Sequence, residues 1–304
     1  MTVGSGAAVG PAPFDAAASP DTAGAGWRRL LRLKWGVGGA ALFLVIVLSA
    51  VFAPWIAPHD PLLVDIRHRM APPAWMEGGA REHILGTDQI GRDLLSRVIW
   101  GGRVSLLVGV SAVLLSSTIG VLFGLAAGYF GAEVDWSIMT LINVMLTFPF
   151  VLLALAVIAV LGPSLPNMIV VLGVTGWPLY ARVIRAETLA LREREFVLAA
   201  RALGMSHARI VFRQILPNLV SPIVVIATLQ IAQVIILESF LSFLGLGVQP
   251  PTPAWGNMLG EGRVYMLNSW WIAAFPGLAI FVTTLVINVM GNGLRDWLDP
   301  HMKQ

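Results

Sequence analysis

Residues 195–218 read EFVLAARALGMSHARIVFRQILPN, a short charged stretch set between segments that are almost wholly apolar. Phe196, Ala199, Ala200 and Leu203 fall at i, i+3, i+4 and i+7, the spacing of one stripe on an α-helix, while Glu193, Arg194 and Arg201 point elsewhere. Gly204 ends the pattern. The stripe is small in its middle, so another surface can come close to the backbone. Two readings fit it: a helix seated in a groove of a partner protein, or a helix resting on lipid headgroups.

The surroundings of that stretch place it beside a membrane. Of 304 residues, 57% are hydrophobic and only 12% are charged, where a soluble domain carries roughly a quarter. Mean hydropathy is +0.78. The chain has no cysteine, so it offers no disulfide framework and no thiolate metal site. The net charge of +3 gives no argument for nucleic acid, because on a membrane protein the charge of each loop outweighs the total.

A crossing needs about 20 apolar residues. Residues 35–58 and 104–132 supply two such runs. The uncharged run 136–181 is too long for one helix, and Leu161-Gly-Pro-Ser-Leu-Pro-Asn167 divides it into two spans joined by a tight hairpin. Further spans lie within 219–243 and 270–294, so the expected architecture is an all-α polytopic membrane protein with six transmembrane helices. Residues 1–26, rich in Ala, Gly, Pro, Ser and Asp, read as a disordered tail. Residues 27–100 read as a first span plus an external segment, and residues 101–304 as a five-span core.

Lysine and arginine placement orients the chain. With the N-terminus cytoplasmic, the inner segments hold thirteen Lys and Arg and the outer ones seven, so both termini are expected inside. The stretch 188–217 then becomes a long cytoplasmic loop. Outside, Thr87–Arg97 pairs Asp88 with Arg92 and Asp93 with Arg97 at i,i+4, with Ile90, Leu94 and Val98 on another face, the pattern of an amphipathic helix on the outer membrane surface.

Several motifs carry a family resemblance. Ala199-Ala-Arg-Ala-Leu-Gly204 followed by Leu216-Pro217 resembles the "EAA" loop of the membrane subunits of ATP-binding-cassette (ABC) importers. Leu85–Arg97, Trp177–Glu187, Leu241–Gly247, Pro250–Gly256 and Gly293–Pro300 resemble the dipeptide, oligopeptide and nickel permease branch, and the first of these its C-type subunit. The resemblance implies a type I ABC importer transmembrane fold in which the opening stretch is a cytoplasmic coupling helix. Glu195, Ala199, Ala200 and Gly204 would then dock an ATP-binding subunit, and Leu216 and Pro217 would mark re-entry into the membrane. It further implies a second homologous permease subunit, two ATP-binding subunits, an external solute-binding protein and di- or oligopeptides as cargo. Leu198 stands where the motif has glutamate, and Asn292 where the branch usually has aspartate.

The chain holds no phosphate-binding G-x-x-x-x-G-K-[ST] loop, since its only lysines are Lys34 and Lys303 and neither follows a glycine. Energy must come from elsewhere, and no bound cofactor or catalytic group is expected. The competing class is an ion-coupled secondary carrier, which needs buried carboxylates or broken helices. Glu238 is the one carboxylate placed for that, either bonded to Ser239 or Ser242 or lining a pathway. Pro149, Pro178 and Pro222 could break helices, although kinks with a packing role are the commoner outcome. Gly120, Gly124 and Gly128 form a small-x-x-x-small stripe for close helix approach. Trp35, Trp55, Trp100, Trp270 and Trp271 read as interfacial anchors. His59, His68, His83, His207 and His301 show no ligand spacing, so no metal site is expected.

Overall fold

The computed structural model describes residues 22–298, with side chains from residue 36 onward. Residues 1–21 of the expected tail therefore lie outside the described residues, as does the Trp35 side chain. Helix is already present at Thr22, inside the stretch assigned to the tail. Eleven α-helices follow one another among the described residues. They are α1 (Thr22–Val51), α2 (Ala53–Ile56), α3 (Leu94–Phe130), α4 (Ala132–Thr147), α5 (Phe150–Leu161), α6 (Leu165–Arg192), α7 (Glu195–Ala202), α8 (His207–Ile210), α9 (Leu216–Phe243), α10 (Trp255–Gly262) and α11 (Trp271–Leu298).

Four stretches are long and apolar enough to cross a bilayer: Leu94–Phe130, Leu165–Arg192, His207–Phe243 and Trp271–Leu298. The third joins α8 and α9 through a π-helical turn, Val211–Ile215. Helices α4 and α5 pass the same test only as a pair, bent by 84°. The apolar part of α1 with described side chains is Gly36–Val51. The described residues thus give four or five crossings where six are expected. The bend has a local cause. Pro149 brings no N–H to the helical ladder and pushes Phe148 out of the helical region, to φ −86°, ψ 130°. Pro178 and Pro222, by contrast, sit inside continuous helices.

The hairpin predicted at Leu161–Asn167 is present. Gly162 takes φ +85°, Ser164 Oγ accepts from the Asn167 amide at 3.2 Å, and the Asn167 side chain donates to the carbonyls of Leu161 and Gly162. Turn chemistry of this kind satisfies several of the groups that a helix end leaves unpaired.

Close packing of α3 on α6 forms the spine of the bundle. A methyl at Gly124 would stand 2.8 Å from the Ala181 carbonyl oxygen, and one at Gly128 2.6 Å from Thr188 Cβ. Gly120 meets Tyr180 and Trp177 in the same way, and Gly173 of α6 returns the favour against Leu115. Without a hydrophobic drive between helices in lipid, such backbone proximity is what gains dispersion energy. Helices α1 and α11 close in the same manner where Gly36 meets Gly293. Helix α10 wedges between α9 and α11, its Trp255 ring against Gly101 and Gly102 of α3 and its indole N–H donating to the Val98 carbonyl at 2.8 Å.

Thr87–Arg97 is not an amphipathic helix. Gly91 at φ +84° lies against the Asp65 carbonyl, where no side chain fits. Asp88 Oδ1 accepts from the amides of Ile90 and Arg92, closing a tight loop. Helix begins only at Leu94, capped by Asp93 Oδ2 accepting from the Ser96 amide at 2.8 Å. This helix then runs unbroken through the division expected at residue 100.

Candidate functional site

Helix α7 sits at one end of the bundle, where α3 and α6 end and α9 begins. Its eight residues finish in a Schellman motif: the Met205 amide donates to the Ala200 carbonyl at 3.1 Å and the Gly204 amide to Arg201 at 2.9 Å. Gly204 takes the left-handed turn, φ +73°. Met205 packs with Ala200, the hydrophobic contact that accompanies this motif.

The stripe read from periodicity is split by the fold. Val197 and Ala200 turn inward onto Tyr129, Ile184, Ile210 and Ile215, leaving Ala200 only 5% exposed. Ala200 is therefore part of the chain's own core and not of an outer docking face. Glu195, Phe196, Leu198, Ala199, Leu203 and Gly204 face outward, Leu203 at 83% exposure. Val197 and Ala200 at i, i+3, joined by Met205, are the signal for the buried side; the wider apolar spread of α7 masked it.

The segment outside the long helices is shorter than the expected 188–217. Helix α6 continues to Arg192, and α8 at His207 already belongs to the α9 crossing. Before that segment, Arg182 and Arg185 lie within α6, the first bonded to Asn143 and the second paired with Asp135 of α4. Leu216 and Pro217 occupy the first turn of α9, where a missing proline N–H costs nothing. The end of α3 is fastened to its neighbours on all sides of α7: Arg201 of α7 lies 5.1 Å over the Tyr129 ring, Tyr129 shares a 2.9 Å hydrogen bond with His207 Nδ1 of α8, and Arg192 of α6 donates to the Gly128 carbonyl.

Glu238 lies near the other end of α9 and is fully buried. Its carboxyl accepts from Ser105 of α3 at 2.9 Å, from Ser242 at 2.8 Å and from Ser239 at 3.3 Å. Three hydroxyls satisfy the group in place of a cation, which is how a buried carboxyl avoids an unpaired desolvation cost. The arrangement pins α3 to α9.

Beyond it, the irregular segment between α2 and α3 is bolted to α10 by an ion network that spacing had half revealed. Arg92 Nε contacts Asp88 Oδ2 at 2.6 Å, as expected. Arg97, 2% exposed, turns away from Asp93 to bridge Asp88 and Glu261. Gln89 and Arg92 also donate to Glu261, at 3.1 and 3.0 Å. Burial raises the Glu261 pKa, but the charge and hydrogen bond of Arg97, with Gln89 and Arg92, outweigh it and hold the carboxyl below its ordinary value. Trp271, expected at the membrane edge, is buried beside this network, its indole N–H directed at the Thr87 carbonyl.

Next to the network the fold assembles residues that sequence spacing kept apart. His59, His83 and Asp93 bring three potential metal-ligand atoms within 4.8 Å of one another. The expectation of no ligand set rested on separations along the chain, which say nothing about loops that fold back. His59 also lines a cleft of about 610 Å³ with Asp60, Trp100 and Pro251–Pro253.

A bundle of long apolar helices, with a short helix at one end and a polar module at the other, defines a membrane-embedded helical subunit. Residues 120–304 match the family described as binding-protein-dependent transport system inner membrane component, and residues 24–73 match the N-terminal TM domain of oligopeptide transport permease C. The chain belongs to this family of inner-membrane transport components, as a permease subunit of the C type found in ABC importers. It is 44% identical to the di/tripeptide transport system permease protein DppC of Pseudomonas aeruginosa, with 91% of each chain covered. With the dipeptide transport system permease protein DppC of Escherichia coli K12 it shares 45% identity over 91% of this chain and 93% of that one. Among solved structures, the MetNI methionine ABC transporter in inward-facing conformations superposes with a TM-score of 0.55 at 19% identity, over 67% of this chain and 96% of that one. That likeness supports the type I importer fold.

Proposed function

We propose that this permease subunit imports di- or oligopeptides, using ATP hydrolysed by separate subunits that dock on α7. The observation that carries this reading is the outward face of α7: Phe196, Leu198, Ala199 and Leu203 stay exposed on a helix whose other face is locked into the bundle. An exposed apolar face on a rigid, short helix suits a partner's groove. The peptide substrate class is supported by the relatives' names. Two ATP-binding subunits, one at each of two paired permeases, close on ATP and draw the α7 helices together. Because α7 is tied to α3 through Arg201 over the Tyr129 ring and the packing of Val197 and Ala200 on Tyr129, this motion favours the outward-facing form. An external solute-binding protein delivers peptide at the opposite end, beside the Pro250–Trp255 loop. The α7 end is cytoplasmic, both termini lie on that side, and α1 supplies a sixth crossing.

The test is affinity purification of the tagged full-length chain from its host in mild detergent, with partners identified by mass spectrometry. ATP-binding subunits recovered with the chain, and a second permease beside them, are the expected result. A second permease without any ATP-binding subunit overturns the reading.

Glu238 separates this proposal from an ion-coupled carrier. Glu238→Gln keeps shape and hydrogen-bonding capacity toward Ser105 and Ser242 while removing the titratable proton. Peptide uptake within the same order of magnitude as wild type is expected. Complete loss, with normal protein in the membrane, would favour proton coupling through Glu238.

A further inference from the structure

We infer that His59, His83 and Asp93 form a binding site for a first-row divalent cation such as Zn²⁺, at the end of the bundle opposite α7. Asp93 Oδ1 faces both imidazoles, 2.9 Å from His83 Nδ1 and 3.7 Å from His59 Nδ1. A tetrahedral zinc with bonds of about 2.0–2.2 Å sets its donors roughly 3.3–3.6 Å apart, so the His59 separation already lies close to that range and the His83 one must open by about half an ångström. His83 and Asp93 are buried, and His59 is half-buried with its ring centroid 4.9 Å from that of His83.

The anomaly that points to a ligand is His59 Nδ1. This atom is buried and has no hydrogen-bond partner. A buried nitrogen without a partner costs free energy, yet the residue is held there by its backbone, whose amide donates to Ser96 Oγ at 3.0 Å. A cation between His59 and Asp93 removes that cost. The carboxylate is oriented for it, because Oδ2 is taken by the Ser96 amide at 2.8 Å and by Ser96 Oγ at 2.6 Å, leaving Oδ1 to the imidazoles. On binding, the cation replaces the proton now shared between His83 and Asp93, and His83 carries its proton on Nε2 instead. Two imidazoles and one carboxylate are a borderline-soft set suited to zinc and its neighbours. His68 is not counted, since its Nδ1 is bonded to Asp65 at 2.7 Å. Of the three, His59 also lines the cleft with Asp60 and Trp100. The site joins the chain after α2, the loop at His83 and the first turn of α3, so a bound ion fixes the rim of that cleft.

The experiment uses the full-length chain with a tag free of histidine, purified in detergent and stripped with EDTA. Equilibrium dialysis against Zn²⁺, with metal counted by mass spectrometry, is expected to find about one ion per chain at micromolar affinity or tighter. His59→Ala removes a side chain that makes no hydrogen bond, so the variant folds, and its affinity falls by at least about tenfold. His83→Ala shows the same loss, while His207→Ala, at the far end, binds as wild type. The proposal is overturned by a wild-type chain that takes up no zinc in this range, or by His59→Ala binding with unchanged affinity.

Discussion

Tryptophan at Gly204 abolishes peptide uptake while the chain still reaches the membrane in normal amount. The expectation follows from two features of that residue. A side chain grown from Gly204 meets nothing within 4 Å, so the indole projects outward beside Leu203. The backbone cost of φ +73° for an L residue is about 1–2 kcal/mol, small beside a typical total stability of roughly 5–15 kcal/mol. Bulk on the outer face, and not unfolding, is therefore what the variant tests. Gly204→Ala carries the same backbone strain without the bulk and should transport nearly as wild type. Uptake of a labelled dipeptide in cells lacking the native copy, with the membrane amount measured by immunoblot, reads both variants. Equal losses in the two would assign the effect to the Schellman turn, and normal uptake by both would remove α7 as the docking surface.

The features that sequence made legible are those that act locally. Composition placed the chain in a bilayer, the Leu161–Asn167 turn declared its own chemistry, and the glycines 120, 124 and 128 marked where a second helix comes close. Gly204 announced the end of α7 for the same reason: its φ is one that other residues resist. What stayed hidden depends on which surface each side chain meets. Periodicity grouped Ala200 with Phe196 and Leu203, but Tyr129 and Ile184, distant in the chain, decide that Ala200 turns inward. The acid–base spacing in Thr87–Arg97 suits a helix, yet Gly91 fits against Asp65, and the ladder cannot start until Asp93 supplies a cap. Pro149 looked like Pro178 and Pro222 in sequence. It breaks the span where α4 and α5 bury only Ile142, Ala154 and Ile158, too little packing to hold a helix through a proline, whereas the other two lie in helices packed along their length. Three ligand-bearing residues on separate loops leave no spacing at all to detect.

Loss of Arg97 should be the most destabilising single change in the module that caps the end opposite α7. The guanidinium is 2% exposed and contacts both Asp88, which is fully buried, and Glu261. Removing Arg97 leaves two desolvated carboxylates sharing the single guanidinium of Arg92, and breaking a buried cluster in this way costs up to about 3–5 kcal/mol. Arg97→Met, which keeps the length of the side chain, is therefore expected to lower the unfolding temperature of the purified protein by many degrees and to reduce its amount in the membrane. A double variant separates lost charge pairing from lost packing. Glu261→Gln in the Arg97→Met background removes one of the stranded charges and should recover part of the stability, although the same change alone is destabilising. The pH dependence carries the same signature. Glu261 is held below its ordinary carboxyl value of 4.5 in the folded chain, so its contribution is fully present above that value and is lost as pH falls through the lower folded one. Wild-type stability should thus drop on acidification below about pH 4.5, and Arg97→Met, which no longer depresses Glu261 to the same extent, should lose less over that window. Equal acid sensitivity in the two proteins would mean that Arg97 holds this end of the bundle by packing, with the charge of Glu261 incidental.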